Sequence, residues 1–162
     1  MTDGKGLPKS LTHADFDAIV DYCYRRACKA IRRDGGVRSM VIGGTIDEGK
    51  VSVRMSARTP MEDNDNKLMV AIVMQHLVQR DDLDFVVLVT EAWMLRAERG
   101  PLPEGSISRH PRREDVVLFN IMSKDCQTIV LNPRYGSRLE RGKVDFDVQV
   151  RGRMVRDPET RN

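Results

Sequence analysis

The chain has 162 residues, of which 40% are hydrophobic and 31% charged, and its net charge is +3. This length favours one domain with a normal core, and the composition is too apolar for general disorder. No apolar run approaches the roughly 20 residues that a membrane helix needs, and the N-terminus has no apolar signal core. The three cysteines form no Cys-x-x-Cys pair. We therefore expect a cytoplasmic protein with reduced thiols and without a metal or cofactor.

We divide the chain into a flexible leader over residues 1–10, a single domain over 11–155 and a flexible tail over 156–162. The domain is expected to begin with an amphipathic helix, in which Thr12 is the N-cap and Asp15 completes a capping box. The sequence Asp-Gly-Gly at 34–36 ends this helix. Apolar residues recur between these ends in steps of three and four, which predicts one buried stripe: Phe16, Ile19, Val20, Cys23, Ala27, Ala30 and Ile31.

The next segment predicts two strands. Residues 40–42 form a short apolar strand, and Gly43-Gly44 is typical of a bulge or a turn. Val51, Val53 and Met55 alternate with polar residues, which predicts a strand with one solvated face. Asp47-Glu48-Gly49 between the two runs is typical of a hairpin turn.

A second helix is predicted over residues 67–80. Apolar residues surround most of its circumference, so we expect it to be buried on more than one side. In particular, we expect Ile72 and Leu77 to be buried against the sheet, and Ile72→Asp to prevent folding.

The remaining apolar runs are predicted strands. Residues 85–95 are apolar on both faces, as in a central strand, and residues 116–122 and 127–131 form a hairpin that turns at 123–125. Residues 144–150 alternate as a strand with one wet face. The predicted fold is α+β, an antiparallel β-sheet of about five to six strands covered by two helices.

A long basic segment, residues 96–113, separates two of the predicted strands. Loops longer than about 12–15 residues are usually functional or disordered, and three prolines stiffen this one. We predict that its later half presents a surface to a protein partner with an acidic surface. The predicted binding residues are Ser106, Ser108, Arg109, His110, Arg112 and Arg113. Hydroxyl and guanidinium groups also suit phosphates, so nucleic acid is an alternative partner, bound by this loop and by the basic first helix. A homodimer is a further hypothesis.

Two residues of the preceding strand, Glu91 and Trp93, share a face. We expect Trp93 to pack in the core. A buried Glu91 carboxylate needs a cation, and we expect an ion pair with Arg109, Arg112 or Arg113 that straps the loop down. Another alternative is a small hydrolase or nuclease built around Glu91, His110 and Asp115.

The motif Glu91-Ala92-Trp93, followed by Ser108-x-His110-Pro111-x-Arg113-x-Asp115, resembles small uncharacterised proteins of bacteria and their phages. The likeness covers residues 85–122, and Asp115 stands where that pattern has glutamate. It implies a prokaryotic or phage setting and no catalytic role. Phage accessory proteins often bind host proteins, including defence systems. We therefore expect a non-enzymatic binding protein, with nucleic-acid binding and the small hydrolase as alternatives.

Overall fold

The structure is a computed structural model that describes residues 10–59, 64–94 and 112–144. The expected tail, residues 145–150 of the expected last strand and most of the basic loop lie outside these residues, as does the leader up to residue 9. The described part of the chain forms two helices and six strands: α1 (His13–Asp34), β1 (Met40–Asp47), β2 (Lys50–Arg58), α2 (Asn64–Leu77), β3 (Phe85–Met94), β4 (Glu114–Met122), β5 (Gln127–Tyr135) and β6 (Arg138–Leu139).

The strands form one antiparallel sheet in the order β2-β1-β3-β4-β5-β6. The predicted α+β fold, with an antiparallel sheet and two helices, is therefore confirmed. The expected hairpin of β4 and β5 is present, and Met122 pairs with Gln127 at its turn. No helix in the described ranges is long and apolar enough to cross a membrane.

Helix α1 begins and ends where its sequence predicts. The Asp15 amide donates to Thr12 Oγ1 over 3.1 Å, and the Thr12 amide donates to Asp15 Oδ2 over 3.0 Å, which completes the capping box. At the other end Gly35 adopts φ 81°, and its amide donates to the carbonyl of Ile31 over 2.9 Å. Glycine takes this left-handed conformation at no steric cost, so the helix stops there.

The helices lie on opposite faces of the sheet, because alternate residues of β1 and β3 join different apolar clusters. Ile42 and Val87 pack in the cluster that contains the buried stripe of α1. Val41 and Val86 pack in the cluster that contains α2. Strand β3 is thus apolar on both faces, as predicted, from Phe85 as far as Val89.

Helix α2 is less buried than its composition predicts. Val70, Met74 and Val78 are buried at steps of four residues, and Leu77 is half-buried. Ile72 is 43% exposed, which contradicts its predicted burial. The other large apolar side chains on the exposed surface of this helix are Leu68, Met69 and Val73. One stripe of α2, and not most of its circumference, meets the sheet.

The β1–β2 hairpin confirms two predictions and corrects a third. Glu48 and Gly49 form a two-residue turn with φ 50° and 77°, the pattern of a type I′ turn. The register shifts between Gly43 and Gly44, so the glycine pair marks a β-bulge. A Cβ on Gly44 would lie 2.3 Å from the Ser52 carbonyl oxygen. The first strand does not stop at residue 42, because the pairing continues through the bulge to Asp47.

Candidate functional site

A basic cleft lies between α1 and strands β1 and β3 of the sheet, with a volume of about 610 Å³. Four cationic side chains of α1 line it, and its described lining includes no carboxylate. The residues that define this basic cleft are Tyr22, Cys23, Arg25, Arg26, Ala27, Lys29, Ala30, Arg33, Val37, Met40, Ile42 and Val89. Its volume falls in the range of pockets that hold small molecules or side chains of a partner.

The floor of the basic cleft is apolar. Val37, Ile42 and Val89 are at most 8% exposed, and Met40 is half-buried. These residues come from the α1–β1 connection, from β1 and from β3, whereas the cations come from the helix above them. A ligand that fits this cleft therefore combines apolar groups with negative charge.

The four cations differ in how they are held. Arg26 donates to the Tyr22 hydroxyl over 3.0 Å and to Ser56 Oγ of β2 over 3.3 Å, which fixes its guanidinium across the cleft wall. Arg25 pairs with Asp21, and Arg33 pairs with Asp34, each over 3.2 Å.

Both of these pairs are exposed at the surface. Exposed pairs of this kind contribute little to stability, so a partner carboxylate can replace Asp21 or Asp34 at low cost. Lys29 is exposed and makes no ion pair within the described residues. A ligand can therefore bind Lys29 without displacing an ion-pair partner from the described residues.

A buried thiol lies beneath the cations. Burial raises the pKa of Cys23 from 9.0 to about 12, against a smaller lowering effect of the nearby Arg26. The thiol is therefore protonated at neutral pH, and thiolate chemistry is not available at this position. Cys23 serves the cleft as a small apolar residue.

A charged network supports the cleft floor from behind. The Arg134 guanidinium of β5 binds the Glu91 carboxylate over 2.5 Å and donates to the carbonyl of Gly35 over 2.7 Å. The same carboxylate accepts the Val37 amide over 2.7 Å. A Cβ on Gly36 would lie 2.9 Å from that carboxylate, so glycine permits the close approach. The network ties the α1–β1 connection, which ends at the cleft floor, to β3 and β5.

This network corrects the predicted role of Glu91. The carboxylate has a cation partner, as predicted, but the side chain is 42% exposed and not buried, and the partner among the described residues is Arg134 of β5. Arg109, one of the three predicted partners, lies outside the described residues. Arg134 lies 43 residues further along the chain. Only the strand order brings the two side chains together, and the sequence does not reveal that order.

Trp93 does not pack in the core, in contrast to the prediction. Its side chain is 51% exposed, and the Arg113 guanidinium lies 5.8 Å from the centre of its ring. Asp115 pairs with Trp93 across β3 and β4, and a cavity of about 240 Å³ opens beside them. Of the predicted loop arginines, Arg113 thus makes a cation–π contact with the strand.

The other predicted site residues divide into two groups. Ser106, Ser108, Arg109 and His110 lie outside the described residues. Arg112 is described and is exposed.

The hydrolase alternative required Glu91 and Asp115 to act together with His110. The Glu91 carboxylate is instead engaged by Arg134 and the Val37 amide. Within the described residues, no group of three or more His, Cys, Asp or Glu side chains could hold a metal ion.

The cations of α1 were predicted only as part of the nucleic-acid alternative, and the cleft that they line was not predicted. Arg26, Lys29 and Arg33 follow Tyr22 in steps of four, three and four, so they share the helix flank beside the buried stripe. Cations in the last turns of a helix also stabilise its negative end, so these residues have an ordinary structural explanation and do not by themselves indicate a binding site.

Comparisons of the chain with protein-family models, curated proteins and solved structures give no match.

Proposed function

We propose that this protein is a non-enzymatic binding protein whose partner is a protein with an acidic surface, and that the basic cleft receives it. The observation that carries the proposal is the combination of four cations, an apolar floor and the lack of a carboxylate in the described lining of the cleft. Carboxylates make strong charge-assisted hydrogen bonds with guanidinium groups. Apolar side chains beside them would bury surface on the floor.

A protein partner accounts for the floor better than nucleic acid does. Sequence-tolerant binding of single strands depends on aromatic side chains on which the bases stack. Tyr22 is the one aromatic residue in the described lining, and its hydroxyl is already bonded to Arg26. Buried aliphatic residues on the floor suit the side chains of a partner protein.

The setting of the partner rests on the resemblance of residues 85–122. It supports a bacterial cytoplasm, either of the host or of a phage-infected cell, and a host protein such as a defence-system component as the partner class. In this setting the exposed Trp93 and Arg113 would form a second contact area.

The test compares two charge reversals on the same helix. Lys29→Glu changes a cation of the cleft, whereas Arg32→Glu makes the same change at an exposed position that does not line it. Binding of a fluorescein-labelled deca-glutamate peptide and of a 20-nucleotide oligo-thymidine is measured by anisotropy at low and moderate salt.

We expect the wild type to prefer the peptide, with an affinity that falls as salt rises. Lys29→Glu should weaken binding of the peptide about tenfold or more, and Arg32→Glu should weaken it by less than about twofold. Equal effects of the two reversals, or a preference for the oligonucleotide, would contradict the proposal.

A further inference from the structure

The basic cleft borders a strand whose outer edge is open within the described residues. Strand β2 stands at one end of the sheet order and pairs only with β1. In a two-residue hairpin the pair that flanks the turn, Asp47 and Lys50, exchanges both hydrogen bonds. The backbone groups of Val51 and Val53 therefore point away from the sheet, where another strand can pair with them.

The face of β2 that is turned towards α1 lies beside the basic cleft. Ser56 accepts a hydrogen bond from Arg26, which places this part of the strand beside the cleft wall. A second cavity of about 400 Å³ continues along α1 towards the hairpin turn, and its lining includes the cations Arg25 and Lys50 together with the Asp21 carboxylate that pairs with Arg25. A strand added at this edge would direct every second side chain towards the cations of α1.

The charges of β2 indicate which strand could be added. Its sequence, KVSVRMSAR, has three cations and no acidic residue. If two copies paired antiparallel around Arg54, Lys50 would face Arg58 and the two Arg54 side chains would meet. Like charges placed opposite each other destabilise a strand pair. The charges therefore disfavour a second copy of this chain and favour an acidic strand.

We propose that the outer edge of β2 pairs with an extended acidic segment of the partner protein, whose alternate carboxylates reach the basic cleft. This inference rests on the proposed function and adds the mode of binding, β-strand addition. Main-chain hydrogen bonds to Val51 and Val53 supply affinity, and the cations of α1 select negative side chains. The cations on β2 also prevent unselective edge pairing, which is a common property of natural edge strands.

The experiment begins with a pool of ten-residue peptides in which glutamate alternates with Val, Ile, Thr, Tyr or Phe. A matched pool has glutamine in place of glutamate. The full-length protein selects its best binder, which is then synthesised in two N-methylated forms. One form carries methyl groups on the odd residues and the other on the even residues, so in an added strand only one form loses the amides that face β2.

We expect enrichment from the glutamate pool alone. One N-methylated form should bind about tenfold more weakly or worse, since two or more hydrogen bonds are lost, while the other form should stay within about twofold of the parent. Val53→Pro should weaken the parent peptide in the same way, because it removes an outward amide, and Val53→Thr should not. Circular dichroism checks that both variants fold.

The outcomes separate this inference from the proposed function. If both methylated forms bind like the parent while Lys29→Glu still abolishes binding, strand addition is wrong and the acidic partner remains. If the glutamate pool is not enriched over the glutamine pool, both proposals fail. A dimer in sedimentation that Val53→Pro dissociates would show that a second copy occupies the edge, and would contradict the inference.

Discussion

At the scale of single residues, Glu91 shows how a charge inside a strand can organise distant parts of the fold. Its carboxylate accepts the Val37 amide and binds Arg134, and that guanidinium also bonds the Gly35 carbonyl at the end of α1. The expectation of a cation partner follows from the sequence, because a charge buried among apolar residues is costly when it is unpaired, although the Glu91 side chain is 42% exposed in the structure. The identity of the cation does not, because it depends on which strands are neighbours.

The Glu91–Arg134 pair should contribute measurably to stability. The two side chains are 42% and 18% exposed, so the pair is better shielded than the other ion pairs of the described residues. A double-mutant cycle with Glu91→Gln and Arg134→Gln should give a coupling of about 1–2 kcal/mol in urea unfolding. Arg25→Gln with Asp21→Asn, an exposed pair, serves as the control and should give less than about 0.5 kcal/mol. Equal couplings in the two cycles would show that the network has no special role.

The Cys23 thiol predicts how stability changes in alkali. In the unfolded chain it ionises near 9.0, and burial raises its pKa in the folded protein to about 12. Between these values the unfolded chain binds fewer protons, so the free energy of unfolding falls as pH rises above 9. Cys23→Ala removes this contribution, and its free energy of unfolding should fall less steeply from pH 8 to 10.5 than that of the wild type. Parallel curves for the two proteins would refute the prediction.

At the scale of elements, α2 shows the limit of composition as a guide to burial. A helix that is apolar around most of its surface is expected to be buried on several sides. This one meets the sheet through the stripe of Val70, Met74 and Val78, against a narrow surface that includes Val86 and Leu88. The width of that surface is a property of the packed sheet, and a pattern within the helix contains no information about it.

The exposure of Ile72 reverses an expectation from the sequence and gives a direct test. Ile72→Asp should fold and change the free energy of unfolding by roughly 0.5–1 kcal/mol, because the position is 43% exposed. Met74→Ala, two residues away and 1% exposed, should cost about 2–5 kcal/mol. Urea unfolding of the two variants and of the wild type measures both changes in the free energy of unfolding. If the Ile72→Asp protein is unfolded, the exposed position of Ile72 is wrong and the side chain belongs to the core.

At the scale of the whole molecule, local signals in the sequence were sufficient for the fold class. The capping box of Thr12 and Asp15, the turn at Glu48-Gly49 and the alternation of the strands all depend on neighbours in the chain, and the structure confirms them. The basic cleft depends on packing instead. It exists because α1 crosses the sheet and places Lys29 and its neighbouring arginines above the residues of β1 and β3. The sequence of α1 contains the cations, but it gives no information about the apolar floor that lies beneath them in the folded protein.

We place the main contact of an acidic partner in the basic cleft. The most direct measurement is a titration of the ¹⁵N-labelled full-length protein with the deca-glutamate peptide, followed through its amide NMR signals. We expect the largest shifts to cluster at Lys29, Arg33 and Val37, and we expect Arg32→Glu to leave them in place. Shifts that cluster instead at Trp93, Arg112 and Arg113, or that spread evenly over the surface, would contradict it.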